Sequence, residues 1–249
     1  MTALIAIIVF LYGMIFLSFF DVLATRIPKG ETLLGRSHCE HCDKQLKLVD
    51  VIPVLGFIIN RGKCSTCHSP IPYYHPLIEI FGGLLFSIAY LFDGFTLPFW
   101  IAAIMISVLM IETIADIRYR IVIDRIWMLG LVPLMIIRII QGSWVIHLIS
   151  SVSIFVFLYL LAFIYQKATK KEALGGGDIK LYIFIGWLLT PVLSFLSLFL
   201  GSIFGLIYSV IKKKGQTYIP LVPFLAIGVY LAYYYGEWLI NGYLSWIRM

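Results

Sequence analysis

Apolar residues fall in eight runs, at approximately 3–21, 77–92, 98–115, 121–140, 145–165, 179–190, 192–211 and 220–240, with polar residues gathered between them. The runs are continuous, not alternating, which predicts buried helices. Several are shorter than the about 20 residues that cross a bilayer upright. The sixth and seventh meet at Thr190-Pro191, where a helical hairpin with a tight turn is expected instead of one long span. The pattern predicts an all-α polytopic membrane protein of about eight transmembrane helices. It divides the chain into a first helix at 1–21, a soluble-looking block at 22–76 and a membrane core of about seven helices at 77–249.

Composition agrees: 61% of residues are hydrophobic and only 13% charged, against roughly 25% charged in a soluble domain. A net charge of +6 could indicate nucleic-acid binding, but the basic residues are spread among the loops between apolar runs. That distribution encodes membrane topology, and no nucleic-acid partner is expected. Arg26, Lys29, Arg36, Lys44, Lys47, Arg61 and Lys63 lie in the first polar block, and Arg118, Arg120 and Arg125 lie in the next loop on that side. Lys167, Lys170, Lys171 and Lys180 flank the third such loop, and Lys212, Lys213 and Lys214 the fourth. Of the Lys and Arg residues only Arg138 and Arg248 fall elsewhere, so the positive-inside rule places the loaded side in the cytoplasm and both termini outside. The first run lacks a basic leader, and the positive charge follows it, so it reads as a retained signal-anchor-like helix and not a cleaved signal peptide.

All four cysteines lie in the 22–76 block, as Cys39-Glu-His-Cys42 and Cys64-Ser-Thr-Cys67, with 21 residues between the pairs. Each Cys-x-x-Cys offers two thiolates from one tight turn, and two such turns complete a tetrahedral four-sulfur site suited to structural Zn²⁺. Iron would accept the same geometry, and disulfides are the competing reading, which the reducing cytoplasm disfavours. His38, His41, His68 and His75 also fall in this block; with four sulfurs filling the coordination sphere they are expected to be supporting or solvated.

Acidic residues at the edges of apolar runs carry the candidate chemistry, because an ionised Asp within the bilayer costs about 2.5–3.5 kcal/mol. Asp178 follows Gly175-Gly176-Gly177, and Asp116 ends another run. Glu112 precedes Asp116 by one helical turn, and Asp124 closes the segment that Asp116 opens. Asp116 is the expected partner of Asp178, while Asp124, directly before Arg125, also suits a helix cap. Two adjacent carboxylates share a proton, providing an acid and a base together. That pairing supports amide hydrolysis without metal or covalent intermediate.

These residues, in order, resemble those of the type IV prepilin peptidases, membrane aspartyl proteases with a Gly-x-Gly-Asp motif. The resemblance runs through Phe20-Asp21-Val22, Arg26-Ile27-Pro28, Arg36-Ser37-x-Cys39-x-x-Cys42 and Asp50-x-Ile52-Pro53-Val54. It continues through Arg61-Gly62-Lys63-Cys64-x-x-Cys67, Pro76-Leu77-Ile78-Glu79, Asp116 and Gly175-x-Gly177-Asp178-x-Lys180. Many members have a proline where this chain has Ile123. The resemblance implies that Asp116 and Asp178 are the catalytic pair of an endopeptidase that removes the basic leader of prepilins and pseudopilins at the cytoplasmic face of the bacterial inner membrane. Their substrates would serve pilus, competence or type II secretion assemblies.

It also implies N-methylation of the new terminus with S-adenosylmethionine, and points to Gly62, Lys63 and Glu79 for that cofactor. No glycine-rich strand-to-helix turn of the dinucleotide type is present. Glu79 reads equally as an acid paired with a loop cation at a helix start, and the cysteine loop equally as a docking module for the leader. Two other classes compete with the peptidase. A proton-coupled transporter would relay protons through the intramembrane acids but calls for repeated halves, which the sequence does not display. A non-enzymatic zinc-bearing assembly protein leaves the paired acids without a role.

Overall fold

The structure is a computed structural model and describes residues 1–39, 41–170, 175–212 and 219–247. Among these the chain is helical, without strands: α1 Thr2–Lys29, α2 Leu55–Ile59, α3 Tyr74–Asp93, α4 Leu97–Tyr119, α5 Asp124–Ile140, α6 Trp144–Thr169, α7 Gly176–Leu188, α8 Pro191–Ile211 and α9 Val222–Ile247. Each apolar run thus becomes one helix, and the chain turns between α7 and α8 at Leu189 and Thr190. Lys171, Lys213, Lys214 and Arg248, used above for topology, lie outside the described residues.

Five helices, α1, α3, α4, α6 and α8, are long and apolar enough to cross a membrane, which is fewer than the eight expected. Length accounts for part of the difference: α7 has 13 residues, about 20 Å at 1.5 Å per residue, against a hydrocarbon core of about 30 Å. The carbonyls at its C-terminal end therefore need donors from neighbouring helices. Arg138 of α5 supplies them, bonding Leu188 O at 2.7 Å and Trp187 O at 3.5 Å, while the His147 ring lies 3.2 Å from Leu189 O. This gives Arg138, which lies outside the four basic loops, a structural role: it caps a short helix.

The chain divides into two compact units, Met1–Ile114 and Ala115–Met249, with the boundary inside α4. In the first, α1 packs along α3 through small residues. A methyl group on Gly13 would sit 2.9 Å from the Gly83 backbone, and one on Gly82 would collide with Leu17. Ser87 adds a hydrogen bond to Ala6 O at 3.0 Å. Beyond the apolar run, α1 continues to Lys29 and stops at Gly30, whose left-handed backbone (φ 68°) turns its N–H onto the last carbonyls. In the second unit α7 packs on α5 and α6, and α8 pairs with α9. Here Gly186 abuts the Ser151 backbone and Gly228 that of Ser197, and Ser150 meets Ser194 at 2.9 Å. Close backbone approach and interhelical hydroxyl bonds are how helices associate in lipid, where burial of apolar surface supplies no driving force between them. Consistently, α6 exposes Val145, Ile149, Val152, Val156 and Phe163 on its outer surface.

Candidate active site

One end of the second unit gathers the C-terminal end of α4 and the N-termini of α5, α7 and α9. Asp116, on the last turns of α4, is buried, and its Oδ2 accepts the backbone N–H of Val222 at 2.9 Å. Val222 is the first residue of α9, so Asp116 satisfies one of the N–H groups that a helix start leaves unpaired. Arg120 lies within electrostatic reach of the same carboxylate. Asp178 stands in the first turn of α7, three residues after the cap residue Gly175. Its carboxylate reaches back to the Gly175 backbone N–H, as an acid at this position does in a capping box. Asp116 and Asp178 interact electrostatically with each other, so two helices distant in sequence bring one pair of acids together.

Asp124 is engaged elsewhere. Lys180 bonds its Oδ2 at 2.7 Å and the Trp127 indole N–H bonds its Oδ1 at 3.2 Å, which ties the start of α5 to the first turns of α7. Ile123, directly before Asp124, takes an extended backbone (φ −91°, ψ 96°) before α5 and buries its side chain. Glu112 is fully buried on α4, one turn before Asp116. Tyr182, which sequence reasoning overlooked, is buried one turn beyond Asp178 and interacts electrostatically with it. Its place at i+4 on the same helix face is the signal that would have found it.

The three glycines before Asp178 are not equivalent. A methyl group on Gly175 would sit 2.9 Å from Asp178 Oδ2, and one on Gly177 would sit 2.8 Å from Val122 Cβ. At Gly176 nothing lies within 4 Å. An alanine scan measured by activity should therefore leave Gly176→Ala within about 0.5 kcal/mol of the parent in stability and unchanged in rate. Gly175→Ala and Gly177→Ala displace the carboxylate or its helix and should each cost up to about 10²-fold in rate. Equal losses at all three positions would contradict this assignment.

In the first unit the Sγ atoms of Cys39, Cys42, Cys64 and Cys67 all lie within 4.8 Å of one another, an arrangement that suits a metal ion. Cys39 and Cys67 are 3.8 Å apart, which matches the edge of a regular tetrahedron with metal–sulfur bonds of about 2.3 Å. The two halves repeat one local structure. Cys39 N–H bonds Lys44 O and Asp43 N–H bonds Cys39 O; Cys64 N–H bonds Ser69 O and His68 N–H bonds Cys64 O. Asp43 (φ 52°) and His68 (φ 56°) take the same left-handed backbone at the same offset. The Ser69 hydroxyl, 3.1 Å from Cys67, draws that thiol down to about 6, which favours the thiolate a metal needs. Among the described residues the cluster consists of cysteines alone.

Asp50 ties the rest of the loop together, accepting from Lys47 N at 2.9 Å, Asn60 Nδ2 at 2.8 Å and Ser65 Oγ at 3.0 Å. Although partial burial opposes it, these donors hold its carboxyl below the ordinary aspartate range. Gly62 turns at φ 70° against the Phe57 ring, and Lys63 pairs with Pro70 to open the second knuckle. Glu79, in the second turn of α3, accepts the Val54 N–H on Oε2 at 2.8 Å. Val54 itself has φ 60°, a strained value for a β-branched residue.

Together these features define a polytopic helical membrane protein with a pair of acids at one end of its bundle and a four-thiol loop. The profile of the bacterial peptidase A24 N-terminal domain matches residues 11–92, and that of the type IV leader peptidase family matches residues 103–210. The chain is 31% identical over 246 residues to the prepilin leader peptidase/N-methyltransferase of Bacillus subtilis (strain 168), covering 96% of this chain and 97% of that protein. It is also 31% identical over 226 residues to the protein of that name from Legionella pneumophila, covering 88% and 78%. With the type 4 prepilin-like proteins leader peptide-processing enzyme of Escherichia coli O78:H11 it shares 31% over 211 residues, covering 78% and 74%. No solved structure matches. The chain belongs to the type IV leader peptidase family and is a peptidase.

Proposed function

We propose that this chain is a membrane-embedded aspartyl endopeptidase that cleaves the basic leader of type IV prepilins and pseudopilins on the cytoplasmic side of the bacterial inner membrane, with both termini outside. The observation that carries this reading is the electrostatic pairing of Asp116 and Asp178 across two helices. The Val222 N–H, the start of α9 and the nearby Arg120 favour negative charge on Asp116, whereas Asp178 has the Gly175 N–H and no neighbouring cation among its determinants, which makes Asp116 the base. Asp178 then holds the shared proton and donates it to the scissile carbonyl oxygen. Asp116 takes a proton from water as the water oxygen bonds the carbonyl carbon; the C–N bond then breaks as Asp116 passes that proton to the leaving amine and the re-forming carbonyl returns its own to Asp178. Asp124 and Lys180 hold the helix starts in place without touching the reacting atoms.

The four-thiol loop would hold a structural Zn²⁺ through Cys39, Cys42, Cys64 and Cys67. The second activity is N-methylation of the newly exposed amine. S-adenosylmethionine would supply the methyl group, and the partly buried Glu79 carboxylate suits a sulfonium cation, with Gly62 and Lys63 nearby in sequence on the knuckle. The test is to incubate detergent-purified protein with a prepilin-like peptide, with and without S-adenosylmethionine, and weigh the products. A cut at the leader junction is expected, with one methyl mass added only when the cofactor is present. Proton uptake in proteoliposomes with no peptide cut would favour a transporter and refute this reading.

A further inference from the structure

A second cluster of acids occupies the first unit, where α1 meets the start of α3. His75 Nδ1 lies 2.7 Å from Asp21 Oδ2, with side-chain exposures of 29% and 14%. Glu79, one turn further along α3, interacts electrostatically with both and is hydrogen-bonded by Ser18 of α1 and by the strained Val54 N–H. Among the described residues no hydrogen bond is made by His75 Nε2, and the ring packs on Tyr74 with centroids 4.1 Å apart. None of these groups takes part in the proposed peptide cleavage, and none belongs to the four-thiol cluster.

A carboxylate on one imidazole nitrogen fixes the tautomer and leaves the other nitrogen as a base. Methyl transfer to a peptide terminus needs such a base, because at neutral pH the amine is largely an ammonium without a lone pair. We propose that His75 is the general base of amine N-methylation, with Asp21 as its positioning residue and Glu79 as the neighbouring acid that faces the sulfonium. The inference rests on the methyltransferase reading above. In the step, Nε2 of His75 removes one ammonium proton. The freed nitrogen lone pair then bonds the sulfonium methyl carbon as the S–C bond breaks, its electrons remaining on sulfur as the neutral thioether of S-adenosylhomocysteine. One positive charge ends on imidazolium, where Asp21 and Glu79 stabilise it, and the other on the N-methylammonium of the product.

The assay uses the full chain and a peptide that already begins at the mature terminus, so that methylation is independent of cleavage. His75→Ala should lower methyl transfer by about 10²-fold or more, with partial restoration by added imidazole, while cleavage of an unprocessed peptide continues. His75→Gln should behave alike without rescue, since no space is vacated. In the cofactor-free protein, imidazole ¹⁵N spectra of the neutral ring, recorded at alkaline pH, should show its proton on Nδ1, and Asp21→Ala should abolish that preference. Full methyl transfer by His75→Ala overturns the inference while leaving the methyltransferase reading intact. Equal loss of both activities without imidazole rescue also overturns it, marking the cluster as structural. A parent protein that cuts but transfers no methyl group overturns both.

Discussion

Asp178→Asn and Asp116→Asn are each expected to lower leader cleavage by about 10²-fold to 10⁴-fold or beyond, with little change in thermal stability. The amide oxygen of Asn still accepts the Gly175 N–H at position 178 and the Val222 N–H at position 116, so both helix starts stay capped. What disappears is the proton that the two acids share, and with it the base or the acid. The double variant should be hardly worse than either single one, because the pair acts as a unit. Asp116→Ala is the informative contrast: it also removes the cap of α9 and should cost a further about 0.5–2 kcal/mol in the melt. Asp124→Asn should impair cleavage less, since it weakens only the link to Lys180 and Trp127. Cleavage near the parent rate in either dyad variant would sink the assignment. Methylation of an already processed peptide should persist in both.

Cys64→Ser is expected to take bound zinc from one ion per chain to nearly none and to unfold the loop around it. Cys64 is the buried member of the cluster, and its backbone closes the second knuckle through Ser69 and His68. The loop exposes Leu34, Leu48, Ile58 and Ile59, so it has little apolar core to fall back on. Structural zinc in small modules contributes about 10–16 kcal/mol apparent, far more than a loop of this kind could recover by packing. Metal analysis by mass spectrometry and limited proteolysis of the loop would read the two effects. Cys39→Ser should act in the same direction. Zinc content unchanged in both would remove the metal reading.

The helices were legible because each apolar run is continuous and bounded by charge, glycine or proline, and lipid demands that such a segment satisfy its own backbone. The knuckles were legible because two ligands per tight turn is a local property. The count of crossing helices was not, since it depends on whether a helix as short as α7 must reach across or has its end received by Arg138. Nor could the sequence tell which glycines matter; that required knowing what stands opposite them, Asp178 for Gly175 and Val122 for Gly177. His75 looked like an accessory to the cysteines because it lies close to them in the chain, yet its partner, Asp21, is 54 residues away on α1.

By itself the sequence determined the all-helical class, the four-thiol loop and the set of acids among which the chemistry must lie. These follow from composition and from spacings of a few residues. Tertiary structure decided how those acids are distributed: Asp124 onto Lys180, Asp116 onto the start of α9 and within reach of Asp178, Asp21 onto His75. The physical reason is that a carboxylate takes its character from the donors and charges within a few ångströms. Here those neighbours come from other helices, brought alongside by packing that no local pattern encodes.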